Sequence, residues 1–123
     1  MDISLYFDPV NPEVFEFSSP TDHKRIFDVI KPYKEEGNFP DLDYVKLAII
    51  GINEDRAALL NTGCTKGPDH VRRYFYNLYS HWKNLAIADL GNIKRGHAVE
   101  DTYYAAKEAI AFLLSNNITP III

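Results

Sequence analysis

One cysteine, Cys64, stands in 123 residues. A single thiol rules out an intrachain disulfide and any cysteine-rich zinc site, and it suits a reducing compartment. Basic residues are also in short supply: 13 Lys and Arg against 17 Asp and Glu give a formal net charge of -4. The mixed, scattered charges exclude the concentrated basic face of a nucleic-acid or anionic-membrane binder. No apolar run approaches the length of a membrane span, and "MDISLYFDPV" has no basic region followed by an apolar stretch. A cytoplasmic protein is the expectation. Gly-x-Gly-x-x-Gly and a Walker-type Gly-Lys-Ser/Thr are absent, as is Asp-x-His-x-Asp. His23, His70, His81 and His97 never take the i, i+4 spacing with a glutamate that marks a zincin.

The chain does have hydrophobic substance, at 46% of residues with 13% aromatic, enough for one domain with a core. Proline punctuates the first third, at positions 9, 12, 20, 32 and 40, so residues 1–44 read as an irregular wrapping segment. One short helix is expected there, starting near Ser19 or Thr21 and burying Ile26 with Ile30.

From Val45 the pattern is regular. "VKLAII" is a short β-branched run that stops at Gly51, as a strand buried on both faces should. "GPDHVRRYFYNLYSHW" reads as a helix with Gly67 at its cap, Pro68 in its first turn and Asp69 on its positive dipole end. Val71, Phe75, Leu78 and Trp82 then share an apolar face, with the tyrosines as core and core edge and Arg72 and Arg73 opposite or at the border. "LAIADL" is a second strand followed by the turn "GNIKRGH". Glu100 and Asp101 open a second helix that buries Ala106, Ile110 and Leu113, and "TPIII" begins a third strand. This order predicts an α/β fold: a three-layer open parallel sheet with a β-α-β-α-β core over residues 45–123. Loops 51–67 and 89–97 gather at the carboxyl ends of the strands, where a ligand site is expected.

The chemistry-bearing residues at that edge have two readings each. In "NTGCTKGPDH" an anion can meet free backbone N–H groups, or Gly63 and Gly67 serve turn and cap geometry. Glu54, Asp55 and Arg56 suit an acid pair with a carboxylate clamp, or an ion pair that holds a loop, the commoner use of such residues. Asp89 with Gly91 and Asn92 suits a site at a strand end, or a turn stabilised by side-chain bonds to backbone N–H groups. Arg72 reads as a tie between its helix and the preceding loop.

Lined up in order, "AIIGINEDRAALLNTGCTKGPDHVRRYFYNLY", "IADLGNI" and "DTYYAAKEAIAFLLSNNITPIII" resemble the N-terminal part of the ureohydrolases: arginases, agmatinases and formiminoglutamases. Gly67-Pro68-x-x-Val71-Arg72 is the strongest single element. The resemblance implies a hydrolase that cleaves a guanidine or formimino C–N bond with a water bridged by two manganese ions. Of the elements that carry the ligands of such enzymes, Gly-Gly-x-His and Asp-x-His-x-Asp are not in this sequence. The chain is therefore expected to be an N-terminal portion of a larger protein, without catalytic or metal-binding residues of its own and inactive alone. The resemblance also puts Asn61, Thr62 and Gly63 at a small-molecule substrate mouth, with Asn61 in contact. Alternatives are a ureohydrolase-fold protein that has lost its ligands and acts as a binding module, or a small anion-binding α/β domain. The third strand is expected to present an apolar edge for self-association or a homo-oligomer.

Overall fold

The computed structural model describes residues 1–17 and 24–123. The proposed helix starts at Ser19 and Thr21 lie outside the described residues. In chain order the elements are β1 (Phe7–Asp8), α1 (Ile26–Val29), β2 (Lys31–Pro32), β3 (Leu47–Gly51), α2 (Gly67–Phe75), β4 (Ile87–Ile93), α3 (Val99–Ser115) and β5 (Thr119–Ile122). Short 3-10 turns at Ile3–Tyr6, Pro12–Phe17 and Cys64–Lys66 complete it.

The protein is α/β, and the five strands among the described residues form one open, mixed sheet. The three strands legible in the sequence pair in parallel, with β3 between β4 and β5. The wrapping segment supplies the other two. β2 runs parallel to the first half of β4, and β1 runs antiparallel to its second half through Phe7 opposite Ile93 and Asp8 opposite Asn92. The sheet is therefore not wholly parallel, and residues 1–44 contribute to it as well as wrapping it. Among the described residues no helix is long and apolar enough to cross a membrane.

Alternation along the central strands divides the apolar residues between two cores. Ala48, Ile50, Ala88 and Leu90 face a cluster with Ala105, Ala106, Ala109 and Leu113 of α3. Ile49 and Ile87 face the opposite way, onto Val10, Val14, Ile26 and Tyr76. α3 obeys its expected boundaries. Glu100 and Asp101 lie in its first turn, and the Asp101 carboxylate accepts from the Ala98 N–H at 2.8 Å. At its other end Asn117 takes a left-handed conformation, and the N–H groups of Ile118 and Asn117 return to the carbonyls of Leu113 and Leu114. This is a Schellman ending, sealed by Leu113 and Ile118 in the same core.

α2 departs from expectation in length and in face. It stops at Phe75, because the next residues are drawn to the wrapping segment: Ile26 and Phe27 donate backbone N–H groups to Leu78 and Tyr76, and Ser80 donates to Lys24. Of the expected buried stripe, Phe75 is half-buried and packs against the second core, whereas Val71, Leu78 and Trp82 are exposed, as are Tyr74 and Tyr79. The buried stripe is instead Pro68, Arg72 and Tyr76, at i, i+4 and i+8.

Because Leu113 is fully buried and Leu114 is exposed, Leu113→Ala is expected to lower unfolding free energy by about 2–5 kcal/mol. Leu114→Ala should stay within about 0.5 kcal/mol. Urea unfolding of the two variants measures both, and equal losses would contradict this orientation of α3.

Candidate functional site

The carboxyl ends of β3 and β4 are the expected location of a site, and two polar networks meet there. The deeper one centres on Arg72, whose side chain and that of Asp89 are both fully buried. Arg72 Nε donates to Asp89 Oδ2 at 2.8 Å and Nη2 to Oδ1 at 2.9 Å, a bidentate pair. Nη2 also donates to the Gly91 carbonyl and Nη1 to Asn92 Oδ1 at 2.7 Å, while Asp69 Oδ1 lies 3.8 Å from Nη1. Asp89 further accepts from the Tyr76 hydroxyl at 2.6 Å and the Gly91 N–H at 3.0 Å. With four donors on its two oxygens the carboxylate is saturated, and no lone pair is left for a substrate or metal.

Sequence and packing both make room for this pair. A Cβ on Gly51 would fall 1.8 Å from Asn92 Oδ1, so glycine is what admits the Asn92 side chain to Arg72. Gly91 has φ +82°, and a Cβ there would lie 2.0 Å from the Asp8 carbonyl. β1 can approach β4 only past a glycine. Phe15 and Phe27 pack on the Tyr76 ring at centroid distances of 5.9 and 6.4 Å, sealing the hydroxyl from water. Burial disfavours the Arg72 charge, but the Asp89 carboxylate more than offsets it and holds the guanidinium protonated. Burial first, then the negative charge of Asp89, pushes the Tyr76 hydroxyl far above its usual range.

The shallower network joins the two loops. Arg56 pairs with Glu54 through Nε at 2.9 Å and through Nη2, and its Nη1 donates to the carbonyls of Gly96 and His97 at 3.0 and 2.9 Å. The buried Thr102 hydroxyl donates to Glu54 Oε2 at 3.1 Å and accepts from the Gly96 N–H at 2.9 Å. Arg95 lies 3.6 Å from Glu54 and 3.4 Å from Asp55. Asp55 also accepts from the Gly63 N–H at 3.0 Å, which ties the far side of the loop back to its start. The Arg56 hydrogen bond is the main reason that the Glu54 carboxyl is held at about 2, below its ordinary 4.5.

Thus Glu54, Asp55 and Arg56 are brought together as loop fasteners, and Arg72, Asp89 and Asn92 as a buried tie. Arg72 reaches β4 rather than the loop before its helix, and Asp89, Gly91 and Asn92 lie inside β4 rather than in a turn. The strand outlasts its expected end because β1 gives its second half a partner. Asn61, Thr62 and Gly63 are exposed on the loop surface, with Gly63 left-handed at φ +93°. Neighbouring Leu59 and Leu60 are also exposed. Cys64 is half-buried, its thiol 3.8 Å from the Glu54 carbonyl. Gly67 and Pro68 open α2, and the cavity beside that end is lined by Asn11, Glu13, Lys66, Asp69, His70 and Arg73. Its two carboxylates are matched by Lys66 and Arg73, so the lining has no clear excess of positive charge to select an anion.

Tyr76, Asp69, Arg95 and Thr102 are network members that the sequence did not disclose. The signals available were helical spacings from Arg72, with Tyr76 four residues after it and Asp69 three before. Among the described residues no three His, Cys, Asp or Glu side chains converge as a metal site. The carboxylates of Glu54, Asp55 and Asp89 are turned to arginines and N–H or O–H donors, a donor set that does not fit a pair of manganese ions. Comparison with protein-family models, curated proteins and solved structures found no match to this chain.

Two measurements test the networks. Arg72→Met or Asp89→Leu leaves one buried charge unpaired and should cost about 3–5 kcal/mol, whereas the double variant should lose less than either single one. Additive losses in urea unfolding would contradict the pairing. The second concerns pH. The Glu54 carboxyl is lowered in the folded protein, so its stabilising effect is complete above its ordinary pKa and disappears as pH falls toward about 2. The melting temperature of the unmodified protein should exceed that of Glu54→Gln at pH 7, with the gap closing between pH 5 and 2; a constant gap would contradict it.

Proposed function

We propose that the chain is the N-terminal portion of a ureohydrolase-like protein and builds part of its substrate rim rather than its reaction centre. The observation that carries this reading is the loop of residues 52–66. It is fastened over the carboxyl ends of β3 and β4, with Asn61, Thr62 and Gly63 exposed, while the nearby carboxylates Glu54, Asp55 and Asp89 are committed to internal partners. Such a loop can shape and select a ligand, and it has no group poised to activate water.

In this reading β3, β4 and β5, with α2 and α3 on opposite faces, belong to a three-layer parallel sheet, and β1 is an antiparallel addition to it. Two manganese ions and the hydrolytic step on a linear amidine or guanidine belong to parts of the parent that supply the Gly-Gly-x-His and Asp-x-His-x-Asp elements. The location is cytoplasmic. Self-association uses the open edge of β5. Thr119 and Ile123 donate their N–H groups to Lys46 and Ile50, so the alternating residues Pro120 and Ile122 face outward. Pro120 has no N–H, which leaves Ile122 as the outward donor in the strand.

The purified chain is expected to show no guanidine or formimino hydrolysis with added manganese, and metal-dependent turnover would overturn the assignment of a rim without a reaction centre. The coding sequence beyond Ile123 gives a second test. A Gly-Gly-x-His element followed by Asp-x-His-x-Asp supports the enzyme parent, altered residues at those places support a binding module, and a stop codon removes the larger protein altogether. Light scattering should detect dimers at high concentration; a strict monomer would remove the role given to the β5 edge.

A further inference from the structure

At the end of the sheet opposite the loops lies a groove that the ureohydrolase reading does not use. Its apolar half, about 490 Å³, is lined by Leu47, Phe75, Leu78, Leu85, Ile87 and Ile121, among others. Its more polar half, about 630 Å³, is lined by Lys24, Val29, Ser80, Lys83 and Asn84. His81, Trp82 and Leu85 line both, so the two halves adjoin. The rim they share is a built element. Backbone bonds from Ile26 to Leu78 and from Ser80 to Lys24 fix its path, and Tyr79, His81 and Trp82 stack edge to face at 6.2 and 6.1 Å.

Charge decides what such a groove fits. Among the described residues no Asp or Glu lines either half, although the chain as a whole has a formal net charge of -4. Neither Lys24 nor Lys83 has an ion-pair partner among the described residues. An apolar trough that opens onto two lysines and a histidine complements a molecule with an apolar body and one negative head. The dimensions are those of small-molecule sites, which are mostly apolar with a few placed polar groups. A second copy of this chain docked through the same face would bring another apolar trough and, among the described lining residues, no Asp or Glu for the lysines. We infer that the groove binds a small anionic amphiphile, its apolar body against Leu47, Phe75, Leu85 and Ile121 and its carboxylate-type head between Lys24 and Lys83.

Trp82 is the only tryptophan in the chain and lines both halves, so its fluorescence reports occupancy without a label. The full chain is titrated with decanoate, decan-1-ol and decyltrimethylammonium below their aggregation limits, with far-UV circular dichroism to verify that the fold persists. Decanoate should give a saturable change, with the neutral and cationic chains at least ten-fold weaker. In the Lys24→Glu/Lys83→Glu variant, decanoate should weaken at least ten-fold, to the level of the alcohol. Three chains that respond alike, or no saturable response to decanoate, would overturn the proposal and leave a bare apolar surface for a protein segment or second copy. The comparison within the unmodified protein decides the matter even if the variant does not fold. Because the readout is binding by this chain, it is independent of any hydrolase activity in a parent.

Discussion

A charged arginine with none of its side chain exposed is the constraint around which this fold is arranged. Burying an unpaired guanidinium costs several kcal/mol, and only a partner of matched shape and charge offsets that cost. Asp89 provides the match, but on terms that reach well beyond two residues. Gly51 must lack a side chain for Asn92 to reach Arg72, and Gly91 must be glycine for its own conformation and for the approach of β1. Tyr76 must hold its hydroxyl over the carboxylate, and Phe15 and Phe27 must cover it. Residues from α2, β3, β4 and the wrapping segment are thus recruited by one ion pair. A misplaced helix or a slipped strand would strand a charge, so the pair acts as a test of register as well as a tie.

The same pair explains where sequence reading succeeded and where it did not. β3, β4 and β5 are short apolar runs with flanking breakers, and α3 has acids at its start and asparagines at its end; those signals come from local physics and survive folding. The buried face of α2 was misread because hydrophobicity alone selects Val71, Leu78 and Trp82, whereas packing buried Arg72 and Tyr76. Nothing in the residue types says that a partner aspartate will be waiting on β4. β1 and β2 are two residues long, too short to display any period, and exist only because β4 offers them an edge. At the candidate site, Glu54, Asp55 and Arg56 were recognisable as a charged cluster. Its coupling to Thr102 and Arg95, some forty residues on, depends on the parallel crossover that returns the chain to the same end of the sheet.

What the acids do bears directly on function. A carboxylate serves catalysis when it keeps a lone pair or a proton to exchange with a substrate. Asp89 has neither, and Glu54 accepts from Arg56 and Thr102 within its own loop assembly. Charged residues placed where a reaction centre is expected have here been used to fix loop positions. Fastened loops with exposed polar tips are suited to selecting a ligand, which is the role proposed for Asn61, Thr62 and Gly63.

α2 connects the two ends of the molecule. Its first turn stands beside the loops at the carboxyl ends of the strands, and the chain leaving its last turn forms the wall of the apolar groove at the other. Arg72 lies between them and pins the helix to β4 through Asp89. A helix held at its middle by a rigid bidentate pair, and just past its last turn by the Tyr76 hydroxyl on the same carboxylate, cannot slide without breaking those bonds. The loop of residues 52–66 is joined to that helix through the turn at Cys64–Lys66, so the pair that fixes the helix also fixes where the loop ends.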